Sequence, residues 1–120
     1  AVAQAVPSPI WEHLDFNLDV PALQEIRVRR AIAHGIDREA MVRELFGEYG
    51  RVLDSWIVPG QWAAAPADQI TRYPYNPDEA RRLLDEVGVV DSNGDGLREA
   101  GGQPLTISLV TTQGSPLRLA

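Results

Sequence analysis

The segment Ile26 to Glu39 constrains the fold of this chain more than any other. Val28, Ala31, Ile32 and Gly35 fall at i, i+3, i+4 and i+7, one apolar helix stripe, with Arg27, Arg29 and Arg30 largely off it. Gly35 suits the left-handed residue that closes such a helix, and Asp37 suits the N-cap of the next. Met41, Val42, Leu45 and Phe46 give that second helix an apolar face, and Gly47 offers a stop. The segment reads as two helices meeting at a corner, a scaffold with no chemistry of its own.

Composition narrows the functions open to that scaffold. The chain has 120 residues, 44% of them hydrophobic, enough for one domain's modest core. A net charge of −6 argues against nucleic acid as a partner. The one basic cluster, Arg27, Arg29 and Arg30, reads as a solvated or salt-bridged helix face. With no cysteine, disulfides, thiolate metal sites and cysteine nucleophiles are excluded. No apolar run approaches the roughly 20 residues of a membrane span. Ala1 to Val6 is too short and too uncharged for a signal peptide. The end, Leu117 to Ala120, reads as the first turn of a helix, so the expectation is a segment of a longer protein, cut at both ends.

Along the chain the expected order is β, α, α, loop, α, turn, β. Leu14, Phe16 and Leu18 alternate with His13, Asp15 and Asn17, the pattern of a half-buried strand over Glu12 to Leu18, which Pro21 ends with a short turn. From Val52 to Tyr75 the helical period disappears; Pro59, Gly60, Pro66 and Pro74 punctuate it. Trp56, Trp62, Tyr73 and Tyr75 make this an aromatic loop, read as a cover over a neighbouring layer. Asn76 as N-cap, Pro77 at N1 and Glu79 at N3 mark the start of a third helix, with Ala80, Leu83, Leu84 and Val87 as its stripe and Gly88 as its end. Leu105, Ile107 and Leu109 alternate with polar residues in a final strand. The fold class is α/β, or α+β for the piece alone: about three helices, flanking strands and a long aromatic loop.

Between that helix and strand lies a run of oxygen ligands. Asp91, Asn93 and Asp95 stand at positions 1, 3 and 5 of a calcium-loop pattern, Gly96 at 6, the Leu97 carbonyl at 7 and Glu99 at 9. Position 12 is Gly102, not the bidentate glutamate of an EF-hand, and two good helices do not flank the loop. Two readings stay open: a cation site, with Ca2+ the ion it would take, or an Asx-rich turn that is rigid without metal.

Catalytic motifs are absent. His13, on the polar side of the first strand, and His34, near a helix end, read as structural. The serines form no G-x-S-x-G elbow, and there is no P-loop or G-x-G-x-x-G. An enzyme, such as a small hydrolase, has no positive support.

Leu14-Asp15-Phe16-Asn17, Val28-Arg29-Arg30-Ala31-Ile32-Ala33 and Ile36-Asp37-Arg38-Glu39, in this order, resemble the family 5 extracellular solute-binding proteins, the receptors of peptide, dipeptide and nickel ABC importers. The resemblance runs on through Ile57-Val58-Pro59 to Trp62, Tyr75-Asn76-Pro77, Ala80 to Leu84, the turn Asp91 to Gly96 and the strand Pro104 to Leu109. His34-Gly35 is the one minor departure. The resemblance implies a two-lobed, periplasmic-binding-protein-like clamp of type II, with residues 1–120 forming part of the C-terminal lobe. It implies no enzyme and no required cofactor. It implies capture of a small peptide or other solute outside the cytoplasm, in the periplasm or at the cell surface, by a secreted or lipid-anchored receptor that delivers it to an ABC permease. The family's main gripping residues have no matching positions here. The nearest ligand candidates are Thr111, Thr112, Gly114 and Ser115, where the last strand gives way to a helix start, since open α/β sheets place ligands at strand C-terminal ends. A different class, a calcium-loop interaction module centred on Asp91 to Glu99, is the alternative.

Overall fold

A computed structural model describes residues 10–115 and Arg118. The opening stretch at 1–6 and the expected helix start at 117–120, apart from Arg118, fall outside these residues. Among the described residues, four α-helices, α1 (Pro21–Gln24), α2 (Ile26–Gly35), α3 (Arg38–Phe46) and α4 (Pro77–Glu86), are followed by a two-stranded hairpin, β1 (Glu99–Ala100) and β2 (Gln103–Pro104). The chain divides into two compact units. One holds residues up to Asp15 with Arg38–Tyr73, the other Phe16–Asp37 with Pro74 onward.

The second unit is built on α2 and α4. The expected stripe buries Val28 and Ala31 on α2, and Ala80 and Leu83 on α4. Ala31, Ala80 and Leu83 form the centre of the core, with Leu84 against it. Small side chains let the helices approach closely: a methyl group added at Gly35 would touch Ala80 Cβ at 4.0 Å. Gly35 is not left-handed, contrary to expectation; it is the last helical residue, and the break comes at Ile36, whose backbone is extended (φ −98°, ψ 119°).

Of the arginines flanking the α2 stripe, Arg27 is salt-bridged, as read, Arg29 is tied to backbone carbonyls and Arg30 is exposed. Glu25 caps α2 by accepting from the Arg27 N–H and pairs with the Arg27 guanidinium at 3.0 Å. Arg29 Nη1 donates to the carbonyls of Leu23 and Gln24, 2.6 and 2.9 Å away, which closes the end of the single-turn α1.

At the start of α4, Asn76 Oδ1 accepts from the Glu79 N–H at 3.1 Å, the expected cap. The reciprocal half of a capping box is not made. The Glu79 carboxylate pairs instead with Arg82, which holds its pKa below the usual glutamate range. The Asn76 N–H turns to the His34 carbonyl at 2.8 Å, and His34 Nδ1 donates to the Pro74 carbonyl at 2.7 Å. α4 ends in a Schellman motif: the Gly88 N–H bonds to Asp85 O and the Val89 N–H to Leu84 O, both at 3.0 Å, with Gly88 left-handed at φ 73°. Val89, 4% exposed, joins the buried set.

Both long strands read from alternation are absent among the described residues. Residues 10–17 and 105–112 carry no strand pairing, and Leu14, Leu18, Ile107 and Leu109 are exposed. Alternation marks a face that can be buried, but a strand forms only where a second backbone continues the ladder; from Leu105 a single bond, its N–H to Arg98 O at 2.7 Å, extends the hairpin. The pairing that does form is local. Glu99 stands opposite Pro104 and Ala100 opposite Gln103. Gly101 and Gly102, both at positive φ, make the two-residue turn.

In the first unit, α3 forms where the period places it, yet buries no residue; Met41 is 52% exposed, and Leu45 and Phe46 more than a third. Gly50 folds back so closely that a Cβ there would lie 2.5 Å from Phe46 Cβ. Arg38, at the head of α3, gathers the long loop. Its guanidinium donates to Leu53 O (2.9 Å), Tyr73 O (2.9 Å) and Asp54 Oδ1 (3.1 Å). The aromatic loop is not packed down as a cover: Trp62 is 99% and Trp56 71% exposed, because no layer lies beneath them among the described residues. No helix among those residues is long and apolar enough to cross a membrane.

Candidate functional site

The loop between α4 and β1 is held by its own side chains. Asp91 accepts from two backbone N–H groups, Gly94 at 2.7 Å and Gly96 at 2.9 Å, one on each oxygen. Asn93 Oδ1 accepts from the Asp95 N–H (2.8 Å), and Asp95 Oδ1 from the Leu97 N–H (2.7 Å). Asn93 Nδ2 donates to Asp95 Oδ2 at 3.1 Å. Glu99, buried at the start of β1, accepts from the backbone N–H and hydroxyl of Ser92 (2.8 and 3.0 Å). The Gly96 N–H, ahead of the Gly94 N–H, lowers the Asp91 pKa, because both bonds favour the charged carboxylate.

The carboxylates of Asp91, Asp95 and Glu99 converge, each offering an oxygen within 4.8 Å of the others. Three of the five residues read as cation ligands thus come together as carboxylates. Asn93 spends its oxygen on the Asp95 N–H, and Leu97 is placed by the Asp95 side chain. Asp91, Asn93 and Asp95 each accept from backbone N–H groups within the loop, the bonding of an Asx turn.

The second candidate lies near the end of the described chain. Thr111, Thr112 and Gly114 are exposed and Ser115 is half-buried. Thr112 Oγ1 accepts from Arg118 Nη1 at 2.6 Å, and the Ser115 carbonyl from the Arg118 N–H at 3.1 Å. The two histidines stand apart: His13 pairs with Asp15 at 3.0 Å beside the Trp11 ring, and His34 is the tie described above.

Sequence reasoning missed a hollow of about 180 Å³ inside the long loop, lined by Val52, Ile57, Ala64 and Ile70 with Asp54 and Arg72. It is smaller than the roughly 300–1,000 Å³ of sites that enclose a sizeable ligand. No periodic signal marks it, since it is made by a stretch without period. The Glu99–Ser92 tie and the hairpin were also missed, although the pair Gly101-Gly102 is the local signal for such a turn.

Residues 2–120 match the model of the bacterial extracellular solute-binding proteins, family 5 Middle. The chain belongs to this family. Among family 5 proteins, the oligopeptide-binding protein AppA of Bacillus subtilis is 27% identical over 108 residues, which is 90% of this chain and 20% of AppA. A Brucella ovis protein named as an ABC transporter peptide-binding protein is 32% identical over 90% of this chain and 18% of its own length. The structure of AppA in complex with a nonapeptide superposes with a TM-score of 0.69 at 27% identity, over 74% of this chain and 18% of AppA. That of NikA from Brucella suis in complex with Fe(III)-EDTA gives 0.61 at 30% identity, with the same coverage. The chain spans about a fifth of the length of these family 5 relatives. The mixed α/β class read from the sequence agrees with these folds, as a partial piece.

Proposed function

We propose that this chain is part of the C-terminal lobe of a receptor that captures a small solute, a peptide in the first instance, and passes it to an ABC-type importer. The observation that carries this reading is the family 5 match over residues 2–120, together with the likeness to peptide-bound AppA. In this reading the protein does no chemistry, needs no cofactor and works outside the cytoplasmic membrane, anchored or secreted. The absence of any nucleophile–base or acid–base motif fits such a role. Solute identity belongs to residues beyond this segment: one relative is seen with a nonapeptide and another with an iron chelate.

Thr111, Thr112, Gly114 and Ser115 are the residues of this segment proposed to reach the solute. Their hydroxyls and backbone groups suit a peptide's amides, and Thr112 is placed by Arg118. Calorimetric titration of the full-length receptor with short peptides and with chelated metal tests the reading. Saturable peptide binding, weakened by Thr112→Ala, supports it. A receptor that binds neither peptide nor chelate overturns it, and unchanged affinity in Thr112→Ala removes that residue from the site.

A further inference from the structure

Asn93-Gly94 is the dipeptide in which an asparagine most readily loses its side-chain amide, because no side chain on the glycine shields its backbone nitrogen. That nitrogen, once it gives up its proton, attacks Asn93 Cγ. The Cγ–Nδ2 bond breaks, the amide leaves as ammonia carrying a proton in place of the one released, and a succinimide ring remains. Water then opens either imide carbonyl, giving aspartate or isoaspartate, with no oxidation or reduction. The turn also keeps the glycine in place. Gly94 has φ 81°, and no atom lies within 4 Å of where a Cβ would stand, so backbone conformation, not space, demands it.

We propose that Asn93-Gly94 is a latent deamidation site locked by Asp91 and Asp95, so that the succinimide forms only when the 91–99 loop opens. The nucleophile is tied down first. The Gly94 N–H donates to Asp91 Oδ1 at 2.7 Å, and loss of its proton there would set one negative charge against another. The electrophile is tied at both ends. Asn93 Oδ1 accepts from the Asp95 N–H and Nδ2 donates to Asp95 Oδ2, so turning Cγ toward the Gly94 nitrogen breaks two bonds. Burial plays no part, since Asn93 and Gly94 are both exposed to the water that the second step consumes. Once formed, the product does not fit back. Isoaspartate lengthens the backbone, and either product adds a carboxylate beside three whose oxygens already lie within 4.8 Å of one another.

The test is peptide mapping of the full-length protein held in mildly alkaline, metal-free buffer, following Asn93 loss and isoaspartate formation with and without urea. Asn93 is expected to be lost about tenfold or more slowly in the folded protein, the factor for a loop opening that costs about 1.4 kcal/mol. Asp91→Ala and Asp95→Ala, with far-UV circular dichroism unchanged, are expected to bring the rate toward the urea value. Equal rates with and without urea overturn the proposal, and so do folded variants that deamidate no faster than the wild type. Should a variant fail to fold, the wild-type comparison alone decides.

Discussion

The backbone N–H of Asn76 ends on the carbonyl oxygen of His34, 2.8 Å away, so the last turn of α2 serves as a cap for the first turn of α4. The His34 ring adds the bond to Pro74 O, 40 residues along the chain. Asn76→Ala removes the side-chain cap on Glu79 and is expected to cost about 1 kcal/mol in urea unfolding. Asn76→Asp keeps an accepting oxygen and should cost far less. His34→Ala leaves the backbone bond intact and forfeits the ring's bond to Pro74 O, again about 1 kcal/mol. A wild-type stability in both alanine variants would show the junction to be idle.

Two helix-end glycines should respond in opposite directions. Gly35 has ordinary helical backbone, and its missing methyl would meet Ala80 at 4.0 Å, an ordinary contact. Gly35→Ala is therefore expected to stabilise the protein by about 0.5–1 kcal/mol. Gly88 is left-handed at φ 73°, so Gly88→Ala should destabilise by about 1 kcal/mol. Thermal unfolding of the two variants side by side checks the pair.

Arg38 holds the neck of the long loop through three acceptors. Arg38→Lys keeps the charge but loses the planar fork that reaches Leu53, Asp54 and Tyr73 together. A loss of about 2 kcal/mol is expected, with limited proteolysis moving into residues 54–72 while α2 and α4 stay protected. Unchanged protease resistance of the loop would contradict this.

Asp91 gives the loop a dependence on acid. Its folded pKa is lowered from the usual 3.8, chiefly by the Gly96 N–H. The stability it contributes is thus complete above pH 3.8 and is lost as pH falls through the lower folded value. A carbon NMR titration of the Asp91 carboxyl should show that depressed midpoint, and amide exchange at Gly94 and Gly96 should quicken over the same range.

The helices were legible because each carries its evidence locally. Val28 and Ala31 of the α2 stripe are buried, and the Asn76-Pro77 start and the Gly88 stop appear where they were read, whereas Gly35 is helical and exposed. The strands at 12–18 and 105–110 were not legible, because Leu14 or Leu109 can announce a buried face without announcing a partner backbone. The caps were half legible: Asn76 was evident, but its N–H partner lies on His34, and no spacing rule connects residues so far apart. The same limit hid Arg38, whose acceptors at 53, 54 and 73 are strangers to its own helix. At the 91–99 loop the residue types were legible, whereas the particular backbone N–H groups that Asp91, Asn93 and Asp95 accept from were not.

The division of the chain has a kinetic consequence. In the sequence, the residues that form the core of Ala31, Ala80 and Leu83 are separated by Arg38–Tyr73, which belongs to the other unit. α2 needs α4 before it can bury its stripe, so forming this core requires a search across that gap. Gap length enters only logarithmically, about 0.6 kcal/mol for each doubling. Lengthening or shortening the stretch between the two helices should therefore cost this core little, as long as the ends that meet at His34 and Asn76 are kept.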